Sequence, residues 1–371
     1  VRVTVENDKA PDGTGTYTLH ILKSPPVEVT FETEPADALL HLRDVLTGVQ
    51  QLPDDAGNYL LCEGSSYSYA LTKYGYEAVS GTLTVTRDDA GALVISNGTE
   101  TYPVTETEGG GAVTIVWTLN PAAANPAIDP SIPAQWADFR GSSTNNGVTD
   151  VLLPTAAQDG TLYWANQLGV GFDSDAVGSP ILVDGDIITY AGDKIYRVDT
   201  VSGEVKVKAN MDHKSSFSIT PPVYADGMVF VALSGGTVQA FNAATLESLW
   251  IFTDKLGGQP NCPITYKDGY IYAGFWNSHT RDANFACINT IDEDHASATE
   301  VKYASWTYTR AGGFYWAGAY VTDKLAIVGT DDGASGYDTN GAALLVFDRY
   351  TGEKLDAHEG IRGDLRSNVS H

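Results

Sequence analysis

Ser179-Pro-Ile-Leu-Val-Asp-Gly, Pro221-Pro-Val-Tyr-Ala-Asp-Gly and Pro263-Ile-Thr-Tyr-Lys-Asp-Gly are three versions of one phrase. The first leads into Ile187-Ile-Thr-Tyr, Lys194-Ile-Tyr-Arg-Val-Asp and Ser202-Gly-Glu. The second leads into Met228-Val-Phe-Val-Ala-Leu, Thr237-Val-Gln-Ala-Phe-Asn and Glu247-Ser-Leu-Trp. The aspartates Asp184, Asp226 and Asp268 follow one another at intervals of 42 residues, the length of one four-stranded propeller blade. Short β-branched and aromatic runs between Asp-Gly turns read as antiparallel strands. The expected fold class is all-β: a small β-sandwich followed by a partial β-propeller of about four four-stranded blades.

Four blades can be drawn, over 179–207, 220–253, 262–309 and 317–357. Thr161-Leu-Tyr-Trp-Ala-Asn-Gln-Leu, ahead of the first, reads as an outer strand that would complete a last blade and seal the ring. Asp364-Leu-Arg-Ser-Asn-Val-Ser-His reads as the first strand of a fifth blade. Residues 136–371 are therefore expected to hold about half of a seven- or eight-bladed ring, incomplete at the C-terminus. Its open blade faces would be large apolar patches, which call for cover by missing blades or by a homodimer.

Ahead of the propeller, Val1-Arg-Val-Thr-Val and Tyr17-Thr-Leu-His-Ile-Leu alternate as strands do. Two strands make no stable sheet alone, so 1–24 reads as the terminal hairpin of a truncated sandwich. Within 25–119, strands are expected at Val27 to Thr33, Ala38 to Arg43, Gly57 to Cys62, Tyr67 to Lys73, Val79 to Thr86 and Val113 to Leu119, the spacing of an immunoglobulin-like sandwich. Residues 120–135 carry four prolines within Asn120 to Pro133. Proline resists helix and strand, so the segment reads as a stiff linker.

Two resemblances sharpen these expectations. Glu34-Pro-Ala-Asp-Ala-Leu-Leu-His-Leu, Gly57-Asn-Tyr and Lys73-Tyr-Gly-Tyr resemble the PEGA-type and carboxypeptidase-regulatory-type modules, which implies a non-catalytic spacer on a secreted or surface protein. From Trp136 onward the chain resembles pyrroloquinoline-quinone (PQQ)-type repeat propellers. Trp136-Ala-Asp-Phe-Arg-Gly resembles their opening segment. Val198-Asp-Thr-Val-Ser-Gly-Glu, Phe241-Asn-Ala-Ala-Thr-Leu-Glu-Ser-Leu-Trp and Val346-Phe-Asp-Arg-Tyr-Thr-Gly-Glu resemble the turn between their third and outer strands. In that turn Asp or Asn bonds its own backbone and Gly takes a positive φ. Only Trp250 fits the tryptophan-docking pattern clearly. The quinone dehydrogenases that this fold resembles hold their cofactor between a tryptophan and a ring of vicinal cysteines, with calcium alongside. No Cys-Cys dipeptide occurs here, so such an enzyme is not expected.

Charge narrows the function classes. With 22 Lys+Arg against 47 Asp+Glu, the formal net charge is -25. Such a chain repels phosphate backbones, so nucleic acid is excluded as a partner. No run approaches the roughly 18 apolar residues of a membrane span. The chain opens at Val1 without a signal peptide, and reads as a processed or trimmed piece of a larger protein. Cys62, Cys262 and Cys287 are the only cysteines, and they read as free thiols. Low cysteine and strong acidity suit an extracellular protein of the bacterial cell surface.

Candidate sites cluster where the repeat lengthens, since Asp268 and Asp323 are 55 residues apart. Insertions in repeat folds map to loops, often on the binding face. Trp276, within Phe275-Trp-Asn-Ser-His-Thr-Arg, and Trp306, Phe314, Tyr315 and Trp316 are the candidate ligand-binding residues, because aromatics on a propeller rim can grip sugars or peptides. Interblade packing is the alternative for each. Asp331, Asp332 and Asp338 are candidate calcium ligands by their hard oxygens, although their spacing is not that of an EF-hand loop and Asp-Gly runs are also ordinary turns. No other cofactor is indicated. No Gly-x-Ser-x-Gly or His-Glu-x-x-His occurs, so no catalytic residue is assigned. The expected function is a non-catalytic module that binds protein or carbohydrate through rim loops, in adhesion. The alternatives are an envelope protein-assembly scaffold, or the accessory part of an enzyme whose catalytic residues lie outside this chain.

Overall fold

The computed structural model describes residues 25–362 apart from 37, 48, 74, 78, 108, 123–124, 151–160, 172–175, 216–219, 317 and 335–338. The hairpin expected over 1–24 and the strand expected over 364–371 fall outside the described residues. The chain divides into two units, 77–120 belonging with the residues before 74 and 121–371 forming the second.

Among the described residues the first unit has ten strands: β1 Val27–Glu34, β2 Leu39–Asp44, β3 Gln50–Gln51, β4 Asn58–Leu61, β5 Ser66–Thr72, β6 Val79–Arg87, β7 Leu93–Ser96, β8 Thr101–Pro103, β9 Thr105–Thr107 and β10 Gly110–Thr118. They form two sheets, in the orders β4-β1-β10-β9 and β3-β2-β5-β6-β7-β8. Alternation decides which side chains face inward. Val27 and Val29 of β1, Ile115 of β10, Leu71 of β5, and Leu83 and Val85 of β6 are fully buried. Trp117 of the first sheet stacks on Tyr69 of the second, with ring centroids 4.6 Å apart. The two inner faces thus make a sandwich. All six expected strands are present. The short strands β3, β7, β8 and β9 were not expected.

The second unit is built of blades. Blade 1 is β12 Ile181–Val183, β13 Asp186–Ala191, β14 Lys194–Asp199 and β15 Val205–Asn210. Blade 2 is β16 Val223–Ala225, β17 Met228–Leu233, β18 Thr237–Asn242 and β19 Ser248–Thr253. Blade 3 is β20 Thr265–Lys267, β21 Tyr270–Gly274, β22 Asp282–Asn289 and β24 Ala304–Ala311. Blade 4 is β25 Tyr320–Val321, β26 Leu325–Gly329, β27 Ala342–Asp348 and β28 Lys354–Ile361. Two blades have a fifth strand. The short β11, Ala134–Trp136, pairs with β12, and β23, Glu300–Lys302, leaves the blade 3 insertion to run parallel to β19. The Asp-Gly turns have positive φ at both central residues: 51° and 74° at Asp184-Gly185, 48° and 78° at Asp226-Gly227, 45° and 82° at Asp268-Gly269. Turns of this kind match the twist of tight hairpins.

Neighbouring blades are joined at one repeated atom. In each blade an Asp or Asn after the third strand caps its own turn. Asp199 Oδ1 accepts the amides of Val201 and Ser202. Asn242, Asn289 and Asp348 do the same with the residues that follow them. The carbonyl of the next residue then faces the preceding part of the chain. Trp164 Nε1 donates to Thr200 O at 2.9 Å, Trp250 Nε1 to Thr290 O at 3.1 Å and Trp306 Nε1 to Arg349 O at 2.8 Å. At the junction of blades 1 and 2 the donor is a guanidinium instead, with Arg197 Nη1 at 3.1 Å from Ala243 O. Docking is therefore not confined to Trp250: Trp164 and Trp306 dock in the same way. Residues 161–170, expected as an outer strand, form no strand, yet Trp164 still docks.

The proline-rich segment is not a free spacer. Asn242 Nδ2 donates to Ala127 O at 2.6 Å, Tyr224 Oη to Ile132 O, and Asp184 N to Pro133 O at 2.8 Å. Asn125 bonds Asp292, and Ile128 packs on the core of blades 2 and 3. The prolines supply an extended strap whose carbonyls are open to such donors. Beyond the strap, Ala137 O accepts Tyr224 N at 2.7 Å and Asn145 Nδ2 reaches Ala319 O at 3.4 Å. The segment 137–145 thus lies against the inner ends of blades 2 and 4.

An aromatic cluster on the loops of blades 3 and 4

Each blade sends its second-to-third hairpin, and its link to the next blade, to the same end of the sheet. Three such loops converge in their described residues: 275–281 in blade 3, 312–316 and 318–319 between blades 3 and 4, and 330–334 and 339–341 in blade 4. Backbone bonds pin them together. Trp276 N and Gln259 N each donate to the other residue's carbonyl, at 3.1 and 2.7 Å. Phe314 N donates to Phe275 O, and Asp331 N to Gly313 O, both at 3.0 Å. Gly312 and Gly313 have φ of 76° and 62°, and a Cβ on Gly313 would lie 2.5 Å from Phe275 O. Close approach of the loops therefore requires glycine there.

Of the five aromatic candidates, three meet at this end. The rings of Trp276 and Tyr315 are 4.7 Å apart, and those of Tyr315 and Trp316 are 4.6 Å apart at an interplanar angle of 17°. Trp276 and Tyr315 are half-buried, and Trp316 is 45 % exposed. The other two candidates are core. Phe314 is fully buried against Phe285. Trp306 is buried among Tyr272, Phe285 and Phe347, and it docks on Arg349 O. Strand alternation sent Trp306 inward, and the pinning of Phe314 to Phe275 did the same for its ring.

Two further residues complete the cluster. His279 packs edge-on to Trp276 at 5.3 Å. Asp331, fully buried, accepts Trp276 Nε1 at 3.1 Å through Oδ2, and the same oxygen is 3.2 Å from His279 Nδ1. Its Oδ1 accepts Gly333 N at 3.1 Å. The carboxylate thus fixes the indole and the imidazole that support the stack. His279 stood beside Trp276 in the sequence, but nothing there linked it to Asp331, 52 residues on.

The acidic loop spends its oxygens internally. Asp332 Oδ1 accepts Ala334 N at 3.0 Å and Oδ2 accepts the Thr339 hydroxyl. Burial alone would raise the Asp332 pKa, and these bonds outweigh it, holding the carboxyl below its usual range. Asp338 lies outside the described residues. Among the described residues no three His, Cys, Asp or Glu side chains are grouped to hold a metal ion. Beneath the face a buried polar chain links blades 2 and 3: Thr309 donates to Asn284 at 2.6 Å, and Asn284 Nδ2 donates to both oxygens of Asp254. The three cysteines are free thiols. Cys262 Sγ donates to Phe314 O, and burial pushes the Cys287 thiol up to about 12.

Residues 150–276 match a family model described as outer membrane protein assembly factor BamB, made of PQQ-type repeats. Two solved structures share the fold at a TM-score of 0.50. One is the quinohemoprotein alcohol dehydrogenase ADHIIG of Pseudomonas putida HK5, 14% identical over 65% of this chain and 43% of its own. The other is the quinohemoprotein alcohol dehydrogenase of Comamonas testosteroni, 15% identical over 62% of this chain and 42% of its own. The second unit shares the β-propeller fold of these structures, and residues 150–276 within it are similar to PQQ-type repeats. BamB of Moraxella catarrhalis is 16% identical over 52% of this chain and 64% of its own, at a TM-score of 0.29, too loose a likeness to carry an argument. No curated protein matches the chain. The chain spans less than half the length of the two dehydrogenases, and at such identity the fold alone transfers.

At this aromatic cluster the described residues do not fit a quinone. Trp276, Tyr315 and Trp316 stack directly on one another, so no planar ring enters between them. The cysteines are separate in sequence, and two of the three are buried. No helix among the described residues is long and apolar enough to cross a membrane.

Proposed function

We propose that this chain is a non-catalytic recognition module of the bacterial envelope. Its propeller presents the Trp276–Tyr315–Trp316 stack to a protein or glycan partner, and its sandwich serves as a PEGA-like spacer on the extracellular side. The observation that carries this reading is the support built under the stack. A fully buried carboxylate, Asp331, orients two of the supporting rings and leaves Trp316 outermost. A site whose exposed group rests on locked neighbours is preorganised, and such support has no use if the group only fills space.

Replacing Trp316 by a photo-crosslinking phenylalanine analogue in the full chain tests the reading. Cross-linking in bacterial envelope fractions to a protein or a polysaccharide is the expected result. No cross-link from position 316, with cross-links from an analogue at Tyr303 on the outer edge of blade 2, would overturn it.

The match of residues 150–276 to an outer membrane protein assembly factor favours a second reading, an envelope assembly scaffold whose partners are proteins. The cross-linked species separates the two. The twofold dimer expected from sequence is tested by analytical ultracentrifugation, where a purely monomeric species would refute it.

A further inference from the structure

We infer that the outer face of the Trp316 indole is a stacking platform for one neutral pyranose ring; the inference rests on the reading of this face as a recognition site. One face of the indole lies on Tyr315, at 17° to it, and the side chain is 45 % exposed. The apolar face of a pyranose packs on such a flat ring, with its hydroxyls directed outward.

The surroundings fit a single ring better than a protein. On the loops of this end, over 254–261, 274–282, 311–320 and 329–342, the exposed large apolar residues among those described are Trp316 and Leu256, the latter 38 % exposed. A protein interface of ordinary size buries about 800 Å² on each side around a continuous apolar centre. One indole and one leucine do not make that centre. The neighbouring hairpin instead presents Thr280, Arg281 and Asp282, all exposed, which supply donors and acceptors for hydroxyls. The net charge of -25 opposes uronic, sialic and phosphorylated sugars, leaving neutral ones.

Backbone geometry points the same way. Trp316 has a φ of 61°, where a non-glycine residue costs about 1–2 kcal/mol. Strain of this kind is held where the side chain's position has a use. The backbone bonds of Phe314 and Asp331 to residues beside the loop, together with the stack, hold the indole there.

The test is isothermal titration of the full chain with oligosaccharides of N-acetylglucosamine, glucose, mannose and galactose. At least one series is expected to bind. Trp316→Gly, which accepts the positive φ without strain, should weaken it at least tenfold, and Trp316→Phe should retain part of it. Circular dichroism of both variants, matching the parent, excludes unfolding as the cause. No binding at millimolar sugar, or binding indifferent to Trp316→Gly, overturns the inference. If no sugar binds while the cross-linker at position 316 captures a protein, the pyranose site fails and the recognition reading stands. If neither occurs, both fail.

Discussion

Asp138 should make the second unit less stable as the pH rises, and Asp138→Asn should remove that dependence. The side chain is 5 % exposed, and its Oδ1 has no hydrogen-bond partner among the described residues. Burial raises its pKa from 3.8 to about 7. An unfolded chain gives up this proton near pH 4 while the folded chain holds it to about 7. Between those values the folded state binds more protons, so stability falls as pH rises. The full contribution is present below the unfolded pKa and is lost by the time pH passes the folded one. At about 1.4 kcal/mol per pH unit, a separation of about 3 pH units corresponds to about 4 kcal/mol. For a unit of this size that is about 8–16 °C in Tm. Asp199 and Asp186 work in the opposite sense, since both are held below the usual carboxylate range. Asp199 is held there by the Ser202 amide first and the Lys206 ammonium next; at Asp186, burial is overcome by Lys206 and Arg197. The quantity to measure is therefore the difference between variant and parent in urea denaturation at each pH. Asp138→Asn should gain on the parent by about 4 kcal/mol between pH 4 and pH 8. A difference that stays constant across that range would refute the reasoning.

Four further outcomes are expected. Trp306→Phe removes the indole donor and leaves Arg349 O the longer bond from the Tyr272 hydroxyl at 3.4 Å, so urea denaturation should show a loss of about 1–2 kcal/mol. Gly352→Ala should cost more than that, since its Cβ would lie 2.5 Å from the Trp306 ring at a φ of 70°. Leu246 stands where Gly203 and Gly352 stand in their turns and has a φ of 57°. Leu246→Gly relieves about 1–2 kcal/mol of backbone strain but empties a fully buried site that is worth about 2–5 kcal/mol, so a net loss of roughly 1–3 kcal/mol is expected in the same assay. Asn242→Ala frees the strap at Ala127, and limited proteolysis should cut within 121–133 sooner than in the parent.

The blades were legible because one turn chemistry recurs. Asp184, Asp226 and Asp268 each need a following glycine to close a hairpin with two positive φ values, and that demand is written locally. The interblade docking was half legible. Trp250 sits at a regular distance from Asn242. Trp306, by contrast, is separated from Asn289 by the insertion that forms β23, and Arg197 performs the same bond from a different strand. The strap was misread because proline reports only that a segment makes no ladder; its carbonyls can still accept bonds from Asn242, Tyr224 and Asp184. At the aromatic cluster, composition marked Trp276, Tyr315 and Trp316 but not their separation from Phe314 and Trp306. Which ring turns inward depends on the pinning of 313–314 between blades. The role of Asp331 depends on a contact across two loops, for which sequence carries no local signal.

The repeated carbonyl bond gives the propeller an optical property. Trp164, Trp250 and Trp306 each close a different junction, and an indole that leaves such a site for water changes its emission. A set of variants in which one of the three is the sole tryptophan, the other six of the chain's seven being replaced by phenylalanine, would report the opening of each junction separately and without labels. The contact between blades 1 and 2, closed by Arg197, emits nothing, and it would be seen only as a gap between the signals on either side.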